Sequence, residues 1–200
     1  MGILKIIAVS YRRPIALRLL CDSFRVQTNP NWELHICHDG SYPGGDLDLI
    51  TNQEPKISDD KRIFFYNSAK RKGEYGHPNR KQMLDRLECK DDDFILLTND
   101  DNYYVPHFVE RVLSAAAKTV GMVYCDMLHN YYSYEVLRTE LAINHIDMGA
   151  FAVRASVAKK VGFNSTKFEA DGIYAVECMR YCQEKGLRTI KVKGILFVHN

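Results

Sequence analysis

The sequence FILLTNDDN occupies residues 94–102 and joins an apolar run to a polar cluster. A short apolar run of this kind is typical of a strand buried in a parallel sheet. Two adjacent carboxylates, Asp100 and Asp101, follow the run directly. They would repel each other if both left water without a partner, and a hard divalent cation would remove that repulsion. The pattern therefore predicts either a Mg²⁺ or Mn²⁺ site at the end of a strand, or a turn in which one aspartate caps and the other is solvated.

Strands and helices alternate on both sides of this segment. Apolar runs predict strands at residues 3–10, 32–37, 62–66, 94–98, 121–124 and 189–198, the last one broken at Gly194, and helical patterns lie between several of them. Such alternation indicates βαβ units in an α/β fold, with a central, mostly parallel or mixed sheet flanked by helices. Residues 42–60 predict a loop, and the tyrosine-rich residues 126–144 are compatible with strands or with a flap.

Local signals place the ends of the helices. Pro14 suits the first turn of the first helix, and Asn79 is expected to cap the second. On the first helix, Leu19 and Leu20 are expected to face the core. Asp171 is expected to be the N-cap of the last helix, whatever other role it has.

Polar residues follow three of the predicted strands. The first strand ends at Ser10 and Tyr11, the second is followed by Asp39, and the fourth by Asp100 and Asp101. Ligands of open α/β sheets bind beyond the carboxyl ends of the strands. We therefore expect these side chains to face one shared crevice.

The composition narrows the class of protein. The chain has 200 residues, of which 46% are hydrophobic and 26% are charged, as in ordinary globular domains. A net charge of +2 gives no support for a nucleic-acid partner. No run approaches the roughly 20 apolar residues of a membrane span, and no signal peptide is recognisable. These features predict a cytoplasmic protein whose six cysteines are reduced and largely buried.

The sequence TNDDNYYVP, residues 98–106, resembles the DxD-bearing segment of family 2 inverting glycosyltransferases of the GT-A fold. The segments 9–11 (VSY) and 38–41 (HDGS) resemble the ends of the first and second strands in that family. The resemblance extends over nearly the whole chain. It implies one Rossmann-type GT-A domain over residues 1–200, with a nucleotide-binding half at 1–105 and an acceptor-side half at 106–200.

The resemblance implies a role for each residue of the donor site. An aromatic side chain at Tyr11 would stack on uracil, Asp39 would accept a hydrogen bond from the base, and Asp100 would bind the ribose. Asp101 would ligate Mn²⁺ or Mg²⁺, with His199 as a further ligand. The order Asp-Asp-Asn differs from a strict Asp-x-Asp, so either aspartate is a candidate ligand. The implied nucleotide-binding residues are Ala8, Ser10, Tyr11, Asp39, Arg80 and Asp100.

The acceptor side of the same resemblance lies in the second half of the chain. Asp147, Met148 and Gly149 resemble the family's segment beneath the sugar and the acceptor. Inverting transfer requires a base that removes the proton of the attacking hydroxyl. Asp171 lies where the family places that base, and Glu169 is the alternative.

The sequence thus predicts a metal-dependent, inverting glycosyltransferase that moves a sugar from a UDP-sugar to a carbohydrate or another hydroxyl acceptor. One alternative is a retaining GT-A enzyme. A nucleotidyltransferase is disfavoured because residues 10–14 (SYRRP) do not form a glycine-rich phosphate loop. Another alternative is a non-catalytic nucleotide- or carbohydrate-binding module, in which the tyrosines of residues 124–134 stack on sugars.

Overall fold

A computed structural model describes residues 2–41 and 56–200 of the chain. Its strands are β1 (Leu4–Ser10), β2 (Trp32–His38), β3 (Ile63–Asn67), β4 (Phe94–Asn99), β5 (Tyr103–Tyr104), β6 (Val120–His129), β7 (Glu135–Leu137), β8 (Phe151–Arg154) and β9 (Arg188–His199). Its α-helices are α1 (Pro14–Arg25), α2 (His77–Arg86), α3 (Phe108–Ala115), α4 (Ala155–Val161) and α5 (Ala170–Glu184). In the predicted loop over residues 42–60, residues 42–55 lie outside the described residues, and Ile57–Asp59 forms a 3₁₀ turn.

The strands of the described residues form one mixed sheet. Their order is β3-β2-β1-β4-β8-β6-β9-β5, and β7 pairs with the end of β6. The first four strands in this order are parallel, whereas β8 is antiparallel to both β4 and β6. The predicted α/β class with a mixed sheet flanked by helices is confirmed.

The register of the parallel strands brings three strand ends to the same edge. Ser10 pairs with His38 on one side of β1, and Val9 pairs with Asn99 on the other. The strands are buried along most of their length because helices cover the sheet. The residues that come next in the chain, Tyr11, Asp39 and Asp100, therefore leave the sheet side by side.

Helix α1 buries part of the predicted face, since Leu20 is buried as expected and Leu19 is not. Leu17, Leu20, Cys21 and Phe24 are buried at a spacing of one helical turn, and Leu19 is 57% exposed. The prediction that Leu19 faces the core is wrong, because the buried stripe starts at Leu17.

Two helices begin earlier than predicted. Helix α2 starts at His77, after a left-handed Gly76 with φ 80° where a Cβ atom would lie 2.6 Å from Val9 Cγ1. Asn79 therefore lies inside the first turn and is not the cap. Helix α5 starts at Ala170 with Glu169 as its N-cap, so the expectation that Asp171 is the N-cap is also wrong.

The second half of the sheet is longer than predicted. Strand β6 extends past the predicted end at residue 124, and Met127 and His129 pair with Phe197 and His199 of β9. Strand β9 also continues through Gly194, where the sequence predicted a break and the structure has an irregular register with φ 105°. In residues 2–41 and 56–200, no helix combines the length and the hydrophobicity that crossing a bilayer requires.

Candidate active site

A cleft of about 560 Å³ lies beyond the carboxyl ends of β1, β2 and β4. Its walls also include the 3₁₀ turn at Met148–Ala150, the start of α5 and the end of β9. The cleft brings together most of the residues that the sequence suggested. These are Ser10, Tyr11, Asp39, Arg80, Asp100, Asp101, Asp147, Met148, Glu169, Asp171 and His199.

Two suggested residues, Ala8 and Gly149, lie behind the walls of the cleft. Ala8 is fully buried in the middle of β1. A Cβ atom added to Gly149 would lie 2.5 Å from Phe197 Cζ and 2.8 Å from the Tyr104 hydroxyl. The structure therefore gives both residues a packing role beneath the site.

The Tyr11 ring forms an aromatic platform at the end of β1. It stacks against His38 with a centroid distance of 5.9 Å, and the Arg71 guanidinium carbon lies 4.1 Å from its centroid. His38 Nδ1 donates to the Gly40 carbonyl, which leaves Nε2 to accept from Arg12 N. A planar base can stack on such a platform, and a guanidinium can lie over it.

Asp39 fixes the basic loop that borders the platform. Its carboxylate accepts hydrogen bonds from Lys72 N at 2.8 Å, Gly73 N at 2.9 Å and Asn79 Nδ2 at 2.8 Å. Burial raises the pKa of Asp39, but these hydrogen bonds and Arg71 outweigh burial and lower the pKa below its usual value. Asp39 is therefore a fixed anion with most of its acceptor sites filled.

Asp100 and Asp101 share one arginine that the sequence did not identify. Arg13 hydrogen-bonds to Asp101 Oδ2, and its NH1 atom lies 3.6 Å from Asp100 Oδ1. Burial raises the pKa of Asp100 to about 6, although hydrogen bonds from Ser10 and Tyr11 favour the ionised form. The two carboxylates therefore repel each other, and a cation bound to them would reduce that repulsion.

Replacing Asp100 with asparagine should stabilise the metal-free protein. Because the folded-state pKa of Asp100 is raised, the folded protein binds more protons than the unfolded chain between roughly pH 4 and 6, and its stability falls as pH rises through that window. In EDTA, we expect Asp100→Asn to raise Tm by roughly 5 °C at pH 7.5 and by much less at pH 4.5. Thermal unfolding followed by circular dichroism measures Tm at both pH values. An equal change in Tm at pH 7.5 and pH 4.5 would contradict a raised pKa of Asp100 in the folded protein.

Asp147 and Asp171 form a carboxyl pair where the 3₁₀ turn and the start of α5 meet the cleft. The two side chains are hydrogen-bonded to each other. Gly149 N donates to Asp147 Oδ1 at 2.7 Å, and Met148 N donates to Asp171. Burial raises the pKa of both groups, and the Asp147 charge raises the pKa of Asp171 further. Burial therefore favours the protonated forms of this pair, and its two carboxyl groups titrate as a unit.

Arg80 lies beneath the acidic walls and is 1% exposed. Its guanidinium donates to the Tyr75 carbonyl at 2.6 Å and to the Asn99 side chain. Burial lowers the pKa of Arg80, and the cleft aspartates counteract this effect. Arginine stays protonated in proteins, so Arg80 places a fixed positive charge under the carboxylates.

His199 presents a neutral imidazole to the cleft. Its Nδ1 donates to Asn130 Oδ1 at 3.0 Å, and its Nε2 lies 3.5 Å from Asp147 Oδ2. The ring stacks on His129 with centroids 4.2 Å apart. Burial lowers the pKa of His199, although Asp101 and Asp171 favour the charged form. A neutral imidazole with one nitrogen held by a hydrogen bond is the form that binds metals.

The donor atoms of the cleft fit a divalent cation in their chemistry. Asp101 Oδ1 is buried and has no hydrogen-bond partner. Over residues 2–41 and 56–200, however, no three His, Cys, Asp or Glu side chains are grouped closely enough to hold a metal. Mg²⁺ and Mn²⁺ are often bound by one or two carboxylates together with water and substrate phosphates. Asp101, with His199 nearby, is suited to that kind of site.

The sequence matches a known family model along most of its length. The sequence model of Glycosyl transferase family 2 matches residues 5–171. No curated protein sequence is similar enough to be detected as a relative.

Several solved structures share the fold. S. aureus TarS superposes with a TM-score of 0.73 at 13% identity, over 100% of this chain and 37% of that chain. The mannosyltransferase PcManGT from Pyrobaculum calidifontis, solved with GDP-Man and Mn²⁺, gives 0.70 at 15% identity, over 98% of this chain and 56% of that one. S. aureus TarS 1-349 with UDP-GlcNAc gives 0.72 at 12% identity, over 99% and 58%. The predicted GT-A fold is confirmed, and the chain spans between about a third and three fifths of these proteins.

Proposed function

The chain belongs to glycosyl transferase family 2, and from that premise we propose that it is a metal-dependent enzyme which transfers a sugar from a UDP-sugar to a hydroxyl acceptor with inversion. One observation carries the proposal. The Tyr11 platform, Asp39 and two pairs of aspartates from distant segments all line the same cleft. The cleft therefore offers a suitable side chain to each part of a donor that consists of a planar base, an anionic diphosphate and a sugar.

The nucleotide would bind at the β1 and β2 end of the cleft. Tyr11 would stack on the base, and Asp39 has acceptor capacity beyond its three hydrogen bonds for an N–H group of the base. Asp100, anchored by Tyr11 N at 3.2 Å, would accept from a ribose hydroxyl. Similar structures solved with UDP-GlcNAc and GDP-Man support a nucleotide-sugar donor.

The diphosphate would lie beside Asp101. Asp101 and His199 would hold the divalent cation, which when bound would neutralise charge on the departing nucleoside diphosphate. The buried positive charge of Arg80 would offset the mutual repulsion of the cleft aspartates. The protein would therefore stabilise the departing diphosphate mainly through electrostatic interactions.

Asp171 would take the proton of the attacking hydroxyl. It lies in the first turn of α5, and its raised pKa makes it a stronger base than an exposed aspartate once it is ionised. Asp147 would orient it through their shared hydrogen bond. Glu169, the alternative base, is exposed at the N-cap of α5. Inversion requires one base, which takes the proton of the hydroxyl as its oxygen attacks the anomeric carbon from the face opposite the leaving diphosphate.

Donor hydrolysis monitored by proton NMR would test the reaction without knowledge of the acceptor. We expect the protein with MnCl₂ to release UDP from UDP-glucose or UDP-GlcNAc and to give the β-sugar first, since these donors are α-linked. First release of the α-sugar would indicate a retaining enzyme. Tight UDP binding with no turnover of any donor would favour the binding module, for which Tyr131 and Tyr132, exposed at the cleft rim, are the best support.

A further inference from the structure

The turn between β1 and α1 holds an arginine over the two aspartates that follow β4. Arg13 contacts Asp101 through a hydrogen bond and Asp100 at 3.6 Å. The Arg13 side chain is 56% exposed, whereas the Asp100 and Asp101 side chains are 5% and 20% exposed. The guanidinium can therefore leave by rotation of its side chain alone, while the carboxylates are fixed in the wall of the cleft.

The backbone of this turn is anchored from both sides. Tyr11 N donates to Asp100 Oδ2 at 3.2 Å, and Arg12 N donates to His38 Nε2 at 3.3 Å. Arg12 has φ 51°, a left-handed conformation that non-glycine residues adopt where the surroundings enforce it. The turn thus keeps the Arg13 backbone beside the aspartates in a defined position.

The other arginines of the cleft have different partners. Arg80 is buried and donates to the Tyr75 carbonyl, and Arg71 lies over the Tyr11 ring. Of the cleft arginines that the structure describes, Arg13 is the one in ion-pair contact with the aspartates after β4. Arg13 lines the cleft together with these carboxylates, so a cation and a diphosphate that entered the cleft would meet it there.

We propose that Arg13 is a displaceable counter-ion which competes with the divalent cation for Asp100 and Asp101 and thereby makes cation binding depend on the nucleotide. The inference rests on the proposed function, because the diphosphate is the group that releases the arginine. Without nucleotide, Mn²⁺ has to expel a guanidinium from the carboxylates. A bound diphosphate offers that guanidinium bidentate hydrogen bonds and gives the cation further oxygen ligands. Nucleotide and cation therefore raise each other's affinity.

Calorimetric titration of MnCl₂ tests this coupling with and without saturating UDP. We expect Arg13→Gln to tighten Mn²⁺ binding to the nucleotide-free protein by about tenfold and to reduce the gain from UDP by a similar factor. The matched control is Arg12→Gln, which removes the same charge one residue away. Since Arg12 has no ion pair with the aspartates, its effect should stay within about twofold. Arg13→Lys, which keeps the charge, should retain part of the wild-type coupling.

The outcomes separate this inference from the proposed function. Equal Mn²⁺ affinities for Arg13→Gln and Arg12→Gln, with UDP-dependent Mn²⁺ binding intact, would overturn the competition and leave the metal-dependent function standing. Absence of Mn²⁺ binding by the wild type in the presence of UDP would overturn both. Circular dichroism would establish that each variant is folded.

Discussion

Asp171→Asn should retain UDP binding and slow sugar transfer by roughly two to four orders of magnitude, the range associated with loss of a general base. Asparagine keeps the size and much of the hydrogen bonding of the side chain but cannot take a proton. The base and ribose contacts of the donor should be retained because they are assigned to Tyr11, Asp39 and Asp100. Steady-state rates of UDP release measure sugar transfer, and calorimetric titration with UDP measures the affinity for the nucleotide separately.

Glu169→Gln is the matched control for this variant. It lies two residues away, is exposed, and loses the same charge, so its rate should stay near that of the wild type. The pH profile gives a second check. A base with a raised pKa is active only when ionised, so activity should rise with pH through an apparent pKa well above that of an ordinary aspartate. Near-normal turnover of Asp171→Asn together with a slow Glu169→Gln would transfer the role of base to Glu169.

Asp101→Asn should remove most of the Mn²⁺-dependent part of UDP affinity, a loss on the order of 100-fold. Asp101 lines the cleft in which a diphosphate would lie, and its Oδ1 is a buried carboxylate oxygen without a hydrogen-bond partner. Affinity measured in EDTA should change little, because the base and ribose contacts are on other residues. Titrations of UDP in MnCl₂ and in EDTA give both values for each protein.

Asp85→Asn controls for the change in net charge. Asp85 is an exposed aspartate on α2, 3.3 Å from Lys81, and it lies outside the cleft. The control should bind UDP like the wild type in both buffers. If Asp101→Asn also kept its full Mn²⁺ response, the assignment of the metal to Asp101 would be wrong.

The parallel half of the fold was predictable because each strand there is a short apolar run with a polar end. The observed β1, β2 and β4 begin and end within one residue of the predicted limits. The other half of the sheet, from β8 to β5, was harder to predict because its strands carry polar residues. Asp126 lies inside β6, where Lys191 and Thr139 satisfy its carboxylate. Such partners come from the tertiary structure, and no local pattern of residues 126–144 reveals them.

The part of the candidate site that lies at the ends of the parallel strands was predictable from the sequence. Tyr11, Asp39 and Asp100 lie together because parallel strands share an edge, which requires only the strand limits. The contact of Arg13 with Asp101 joins residues 88 positions apart and depends on the direction of one long side chain. The burial of Arg80 likewise depends on how α2 packs on the sheet. Neither feature has a signal in the local sequence.

A crystal soaked with UDP and MnCl₂ would locate the cation directly by its anomalous scattering. We expect one Mn²⁺ bound to Asp101 and to the diphosphate, with uracil against the Tyr11 ring and within reach of Asp39. UDP bound away from these residues, or UDP in the cleft with saturating Mn²⁺ but no ion next to either aspartate after β4, would contradict a metal-dependent donor site in this cleft.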